Sequence, residues 1–514
     1  MVILYHADNT IMEVVAADHQ SIAMDTSVTL AKGLQLLAHQ FPEDKIVWCH
    51  VAYKENLDIE RIETLFHHHK LMLSFHHHPH HFIDKRIGYV EDSLFVSVNK
   101  KVPYPTWQMS SLVGVIHASV LLAIHDRVKL ESDFDYYLNS IAKLALPLGL
   151  FCYSEPRLVK GDLQAPISKP NLFTLFKFVK QHYKTRWVFL LALNLLLYER
   201  TLSFLPFLYA FCFGNRNKAS INLDAIAVQS SQKVVDKATM DVIIPTIGRK
   251  TYLYDVLCDL RNQTHLPKQV IVVEQNPEIG SVSELDYLTL ESWPFKIVHT
   301  FTHHIGACHA RNIALKQVDS DWVFLADDDI VIEPDFLNHV NDRLAELPYQ
   351  AFTFRCYLKG EKKVFNTIQQ WGTFGSGCSV VSHEAIKGCF FSESFEHGFG
   401  EDADFGMQLR HKGIDVIYLP KPAILHLKAP VGGFRTKPKV LWQDAAVPPK
   451  PSPTVMLYQL LHKTQEQQRG YKTLLFLKYY NKQPIKHPFK YYTVFKEQWQ
   501  QSVNYANQLK SLKP

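Results

Sequence analysis

The sequence predicts an α/β protein whose C-terminal half carries a Rossmann-like, doubly wound parallel sheet. Three observations point there. Between about Thr239 and Lys428, short apolar runs alternate with stretches whose apolar residues recur at helical spacing. The connections between them are short, as right-handed strand–helix–strand units require. Several of the runs close on a polar or acidic residue, at the strand end where such sheets bind ligands.

The elements follow in order. "DVIIP", Asp241–Pro245, is a strand and "TIGRK" a turn; Leu253, Val256, Leu257 and Leu260 then mark a helix. "LPKQVIVVEQNP" gives a turn and a strand, Val270–Val273, with a polar end at Glu274. "IGACHARNIALKQV" is a helix after a glycine, and "SDWVFLADDD" is a strand running into Asp327, Asp328 and Asp329. "FGEDADFGMQLRHKG" opens with acids suited to a helix N-terminus; Phe405 and Leu409 share a face, and Gly413 is a natural stop.

At 514 residues the chain exceeds one core, and 47% hydrophobic with 20% charged residues describes a folded protein. Four segments are expected: an α/β domain over 1–165, a hydrophobic helical connector over 166–235, the sheet domain over 236–435, and a basic aromatic tail over 436–514. The eight cysteines lie far apart without a CxxC, which reads as reduced thiols in a cytoplasmic protein. "MVILYHADNTIMEVV" shows no secretory signal.

The connector holds "WVFLLALNLLLYERTLSFLPFLYAFCFG". Glu199, Arg200 and Pro206 break it into pieces shorter than the ~20 apolar residues of a spanning helix. A helical pair, buried or lying in a membrane interface, is expected ahead of a transmembrane hairpin. The net charge of +5 is uneven, because Val431–Pro514 has fourteen Lys/Arg against three Asp/Glu. Aromatics such as Tyr480, Phe489 and Tyr492 interleave with them. Such a tail either sits on anionic headgroups, peripheral at the inner face of the cell membrane, or packs its aromatics on the main domain. No nucleic-acid partner is expected.

Three adjacent carboxylates repel, and burying them unpaired costs several kcal/mol. A hard cation, Mn2+ or Mg2+, whose shell phosphate oxygens complete, accounts for them and keeps them ionised. With alternating geometry Asp327 and Asp329 face one side, the first toward a ribose or the metal's water and the second toward the metal.

"DVIIPTIGR", "VIVVEQNP", "GACHARNIAL", "FLADDDI", "GEDADFGMQLRHKG" and "AILHLK" stand in the order found in glycosyltransferase family 2, and residues 241–428 resemble that family. The resemblance implies a GT-A fold and an inverting transfer of a sugar from a nucleotide-diphosphate donor. It implies that Pro245 and Thr246 line the nucleotide pocket and that Arg311 belongs to the helix facing the donor. Asp327 and Asp329 become the DXD pair, with Asp328 between them on the donor, and His426 the residue that completes the metal shell. Glu401 and Asp402 match the acidic pair that supplies the base, with Asp402 the first choice. Glu274 stands where the family usually has an aspartate on the nucleotide base, so nucleotide identity is left open.

The implied activity is a metal-dependent transfer to a glycan or lipid-linked acceptor in surface polysaccharide biosynthesis. Its rivals are an inactive sugar- or nucleotide-binding scaffold and a nucleotidyltransferase. Each residue also has a plainer role. Glu401, Asp402 and Asp404 are ordinary N-terminal helix acids, Asp327–Asp329 a solvated turn, and His426 a strand histidine. The glycines around Gly375–Cys378 are a close-approach wall or a tight turn. Arg435 and Lys437 close over the diphosphate or stay in solvent.

The histidine tract, His67–His69, His76–His78, His80 and His81, is read as a polar segment, since consecutive strand side chains alternate faces and rarely build one metal site. The front half also resembles a degenerate copy of the GT-A domain. Laying Gly149 on Gly413 puts Tyr137 and Leu138 in place of the acidic pair, and "KIVWCHVAY" in place of the strand before the DXD. Such a copy would be inactive and serve scaffolding, acceptor docking or dimerisation.

Overall fold

The computed structural model describes residues 1–77, 82–161, 171–217, 220–232, 238–361, 365–430 and 439–511. The chain divides into two compact units, residues 1–231 with 463–483 and residues 232–462 with 484–514.

The first unit runs β1 (Val2–Ala7), β2 (Thr10–Ala16), α1 (Leu30–Gln40), β3 (Lys45–His50), α2 (Ile59–Leu65), β4 (Leu71–Phe75), β5 (Tyr104–Pro105), β6 (Val113–His117), α3 (Ala118–Ile124), α4 (Phe134–Ala145) and β7 (Phe151–Ser154). Its sheet order is β2-β1-β3-β6-β4-β7-β5. Local chemistry starts the helices: Thr29 accepts the Lys32 N–H ahead of α1, and Asp133 that of Tyr136 ahead of α4. The hydrophobic stretch forms α5 (Leu172–His182), α6 (Arg186–Glu199) and α7 (Phe204–Ala210). Phe176, Phe178, Val188, Leu191 and Leu195 join the core that holds Trp48 and Trp107. These helices are therefore a layer of this unit and not a free-standing connector.

The second unit contains β8 (Met240–Ile247), α8 (Lys250–Arg261), β9 (Gln269–Gln275), α9 (Tyr287–Leu290), β10 (Lys296–Thr302), α10 (Ala307–Leu315), β11 (Trp322–Ala326), β12 (Ile330–Val331) and α11 (Phe336–Glu346). β13 (Ala351–Leu358), β14 (Gln369–Gln370), β15 (Cys378–Ser382), α12 (His383–Ile386), α13 (Glu401–His411), β16 (Ile417–His426) and α14 (Pro453–His462) follow. α15 (Gln465–Tyr480) belongs to the first unit and α16 (Pro488–Ser511) to the second. The tail is thus shared between the units.

The second sheet has the order β10-β9-β8-β11-β15-β13-β16-β12, with β14 on β16. Its first four strands are parallel; β15 runs antiparallel to β11 and β13, and β16 parallel to β13. Buried Asp241 pins its start. Its carboxylate accepts from Ser320 Oγ at 2.6 Å, the N–H groups of Asp319 and Ser320, and Gln269 Nε2, tying β8 to β9 and to the turn before β11. Pro245 lies inside β8, not at its end, because β11 pairs only as far as Ile243 and leaves that side open.

The two sheets share a plan. β1-β3-β6-β4-β7-β5 repeats β8-β11-β15-β13-β16-β14 in neighbour order, strand direction and chain order. Lys45 pairs with His117 as Trp322 pairs with Ser382, each just before a short helix. In that register His50, Val51 and Ala52 stand where the other unit has Asp327, Asp328 and Asp329. The acid register differs from the sequence expectation. Asp135, second in α4, accepts the Ser111 N–H at 2.7 Å, as Asp402, second in α13, accepts that of Ser376 at 3.3 Å. Asp135, not Tyr137 or Leu138, therefore matches Asp402. The slip is three residues, the length of the 3₁₀ turn Leu146–Leu148 that intervenes before Gly149.

Candidate active site

A cavity of about 650 Å3 opens at the C-terminal ends of β8 and β11. Pro245, Thr246, Arg311, Asp327, Asp328, Asp329, Glu401, Asp402 and His426 all line it. Every residue of β11 is buried, so the chain leaves the sheet at Asp327 and delivers the three acids to the cavity wall.

The acids are held differently. Asp328 turns inward; Thr246 Oγ1 donates to its Oδ2 at 2.7 Å and Arg249 Nη1 to its Oδ1 at 2.5 Å. Burial raises its pKa to about 6 against the pull of Arg249. Asp329 Oδ2 accepts the Ala429 N–H at 2.8 Å, and its Oδ1 lies 3.2 Å from His426 Nε2. Burial pushes the Asp329 pKa up, but the hydrogen bonds from His426 and Ala429 outweigh it and hold the group below its ordinary value. The same bond to Asp329 raises His426. Pairing of Ile330 with His426 across β12 and β16 sets this contact.

Asp327 is the most exposed of the three and accepts from Arg311 Nη2 at 3.1 Å. A Cβ on Gly377 would lie 2.1 Å from Asp327 Oδ2, so the glycine stretch before β15 is a close-approach wall. Asp327, Asp329 and His426 each offer a donor atom, all within 4.8 Å of one another. Two carboxylates and an imidazole suit Mn2+ or Mg2+.

Across the cavity, Gly400, at φ 123°, turns the chain into α13 and sets Glu401 and Asp402 in its first turn. Burial, then repulsion from Asp402, pushes the Glu401 pKa up to about 7, and burial also raises Asp402. Buried Arg311 lies in the field of both Asp327 and Asp402, which keeps it charged despite desolvation. One guanidinium therefore links the two acid groups. Asp404 faces away, 2.7 Å from His462 Nε2.

Other residues stand apart from this group. Glu274 does not line the cavity, although its neighbour Gln275 does. Its Oε2 lies 2.9 Å from His299 Nε2; burial raises its pKa, and the bonds from His299, Ser283 and the Glu284 N–H bring it below the ordinary value. Arg435 and Lys437 lie outside the described residues, as do His78, His80 and His81. His67 meets Ser230 Oγ at 3.1 Å, His69 stacks on His117 at 3.7 Å, and buried His76 lies 2.7 Å from the Gln108 carbonyl. All eight cysteines are free thiols.

Sequence reasoning missed Arg249 and Glu396. Arg249 sat unremarked in "TIGRK", although a cation just past a strand facing three acids was the available signal. Glu396 lines the cavity and its carboxylate accepts the Cys308 and His309 N–H groups at 3.2 and 3.0 Å, capping α10. Nothing local in "SESFEHG" announces that contact. His304, His309 and Glu393 form a second group of donor atoms within 4.8 Å.

Residues 241–395 match the model of glycosyl transferase family 2. The sheet that carries them has the GT-A arrangement of strands. A search of curated proteins finds no match. Among solved structures, S. aureus TarS 1-349 is similar at 20% identity and a TM-score of 0.31, over 37% of this chain and 60% of that one. TarS 1-349 in complex with UDP-GlcNAc gives 16%, 0.33, 52% and 74% for the same quantities. Mannosyltransferase PcManGT from Pyrobaculum calidifontis, in complex with GDP-Man and Mn2+, gives 14%, 0.29, 53% and 74%. This chain thus spans about 60% of the length of the first of them. At such TM-scores these likenesses add nothing to the assignment, which rests on the family match.

Proposed function

We propose that the second unit transfers a sugar, with inversion, from a nucleotide-diphosphate donor to a glycan or lipid-linked acceptor. The observation that carries this reading is the pair of acid groups on one cavity, Asp327–Asp329–His426 and Glu401–Asp402, joined through Arg311. Surface polysaccharide assembly is the expected setting.

Each residue then has a task. Asp327, Asp329 and His426 would hold Mn2+ or Mg2+, which when bound offsets charge on the diphosphate leaving group. Asp402 removes the proton of the acceptor hydroxyl, and burial, which raises its pKa, makes it a stronger base than an ordinary aspartate. Arg311 keeps Asp327 oriented and holds positive charge beside the donor. Thr246 and Arg249 fix Asp328, which makes Asp328 a positioning residue between the two metal acids. Pro245 forms part of the nucleotide wall. For Glu274 the contact with His299 supports a structural role.

Calorimetry with UDP, GDP, dTDP and CDP, with and without Mn2+, tests the reading. One nucleotide should bind only with metal, and Asp329→Ala should abolish it. Absence of binding by all four would return the scaffold reading.

A further inference from the structure

The second and third helices of the hydrophobic stretch bury one face and leave the other bare. On α6, Val188, Leu191 and Leu195 are buried, whereas Phe189, Leu196 and Leu197 are 54%, 47% and 56% exposed. The exposure continues into α7 and the link before it, with Leu202 at 83%, Phe204 at 67%, Leu205 at 68% and Leu208 at 47%. The two helices meet through aromatic rings, Phe189 lying 5.2 Å from Phe207 and 5.9 Å from Phe211. This is one apolar surface, far from the isolated exposed leucines that any protein shows.

Its charges have one sign. Lys184, Arg186 and Arg200 are exposed at the two ends of α6. Glu199, the one acid in residues 171–217, is half-buried; the Tyr89 hydroxyl donates to it at 3.0 Å and Arg86 lies 3.7 Å away. No described helix is long and apolar enough to cross a membrane. α6 has 14 residues and α7 has 7, against the ~20 a spanning helix needs. Short helices with a bare apolar face and cationic ends fit the interface of a bilayer, with leucine and phenylalanine among the acyl chains and the cations at anionic headgroups.

We propose that the exposed face of α6 and α7 docks this protein on an anionic lipid surface. A fluid interface accepts the protruding Leu202, Phe204 and Leu205 without a preformed groove, whereas a second copy would have to present one. The docking face lies in the first unit and is independent of the nucleotide site proposed in the second. Recruitment to a membrane would bring a lipid-linked acceptor within reach.

The test is flotation of the full chain with phosphatidylcholine vesicles and with vesicles carrying about 30% phosphatidylglycerol. The wild type should float with the anionic vesicles. Leu202→Ser/Phe204→Ser/Leu205→Ser should weaken partitioning at least about tenfold. Phe489→Ser/Tyr492→Ser, exposed positions in the tail, should float as the wild type does. Metal-dependent nucleotide binding should be equal in all three, so failure of docking is read apart from failure of the donor site. Three outcomes overturn the proposal: a triple variant that floats like wild type, vesicle binding lost in the tail variant instead, or a wild type that floats with neither vesicle. In the last case light scattering would show whether a second copy covers the face.

Discussion

At the scale of single residues, the second unit's site depends on carboxylates whose environments differ within a few ångströms. Asp329 is held ionised by His426 and the Ala429 N–H, while Glu401 is pushed up to about 7 by burial and by Asp402. A base with a raised pKa is protonated, and idle, below that value. Burial raises Asp402, the base, as well, so transfer should fall on the acid side, with an acid limb in kcat/KM displaced above the ordinary aspartate value. Asp402→Asn should lower kcat by about 10²–10⁴ with nucleotide affinity retained. Loss of affinity instead would mean that this acid belongs to the donor site. Gly377→Ala tests the other wall. Its Cβ would strike Asp327 Oδ2, so metal-dependent nucleotide binding should drop with little change in melting temperature. Unchanged binding would show that Asp327 can turn aside.

At the scale of elements, α14 and α16 hold the loop that leads into α13, the helix of the base. Ser394 Oγ donates to the Leu509 carbonyl at 2.8 Å, and the Phe399 N–H to Thr454 Oγ1 at 3.1 Å. Phe395 shares a core with Met456, Leu457, Ala506 and Leu509. Cutting the chain after Lys450 would expose that core, so truncation cannot isolate a membrane role for the tail. A sharper probe is Gly398→Ala, whose Cβ would lie 2.5 Å from both Thr454 Cγ2 and Oγ1. It should shift the loop and lower kcat more than nucleotide affinity. Adding Thr454→Ala should partly restore activity, a coupling of opposite sign to the single effects. Additive losses would place the loop under other control.

What could be read beforehand followed sequence distance. The strand before Asp327, the acids at the start of α13 and the stop at Gly413 are local patterns, and the structure repeats them. The His426–Asp329 contact could be expected only through the family resemblance, since it needs the register of β12 on β16. The seat of Ser394 on Leu509, 115 residues away, left no trace in either segment. Glu274 is legible as an acid near a strand end, but its contact with His299 on the neighbouring strand is not.

At the scale of the whole molecule, one strand plan occurs twice and only the second copy keeps the acidic triplet. His50, Val51 and Ala52 replace the acidic triplet, and the cavity of the second unit has every proposed donor ligand. One nucleotide should therefore bind per chain. What the first unit does keep is Asp135, half-buried in the place of Asp402, with its pKa pushed up to about 7 by desolvation. An acid whose pKa is raised on folding stabilises the fold at low pH, and that stabilisation is lost as pH rises from the unfolded value near 4 through about 7. At higher pH the native state must carry a desolvated charge, at a cost on the order of 4 kcal/mol relative to acid conditions. Asparagine can still accept the Ser111 N–H and carries no charge. Asp135→Asn should thus raise the urea midpoint at pH 8.5, leave it nearly unchanged near pH 4, and leave sugar transfer at pH 8.5 equal to that of the wild type. Stabilisation with unchanged transfer is what an idle copy of the site requires. A loss of transfer would mean that Asp135 takes part in the reaction, and that the first unit is not idle.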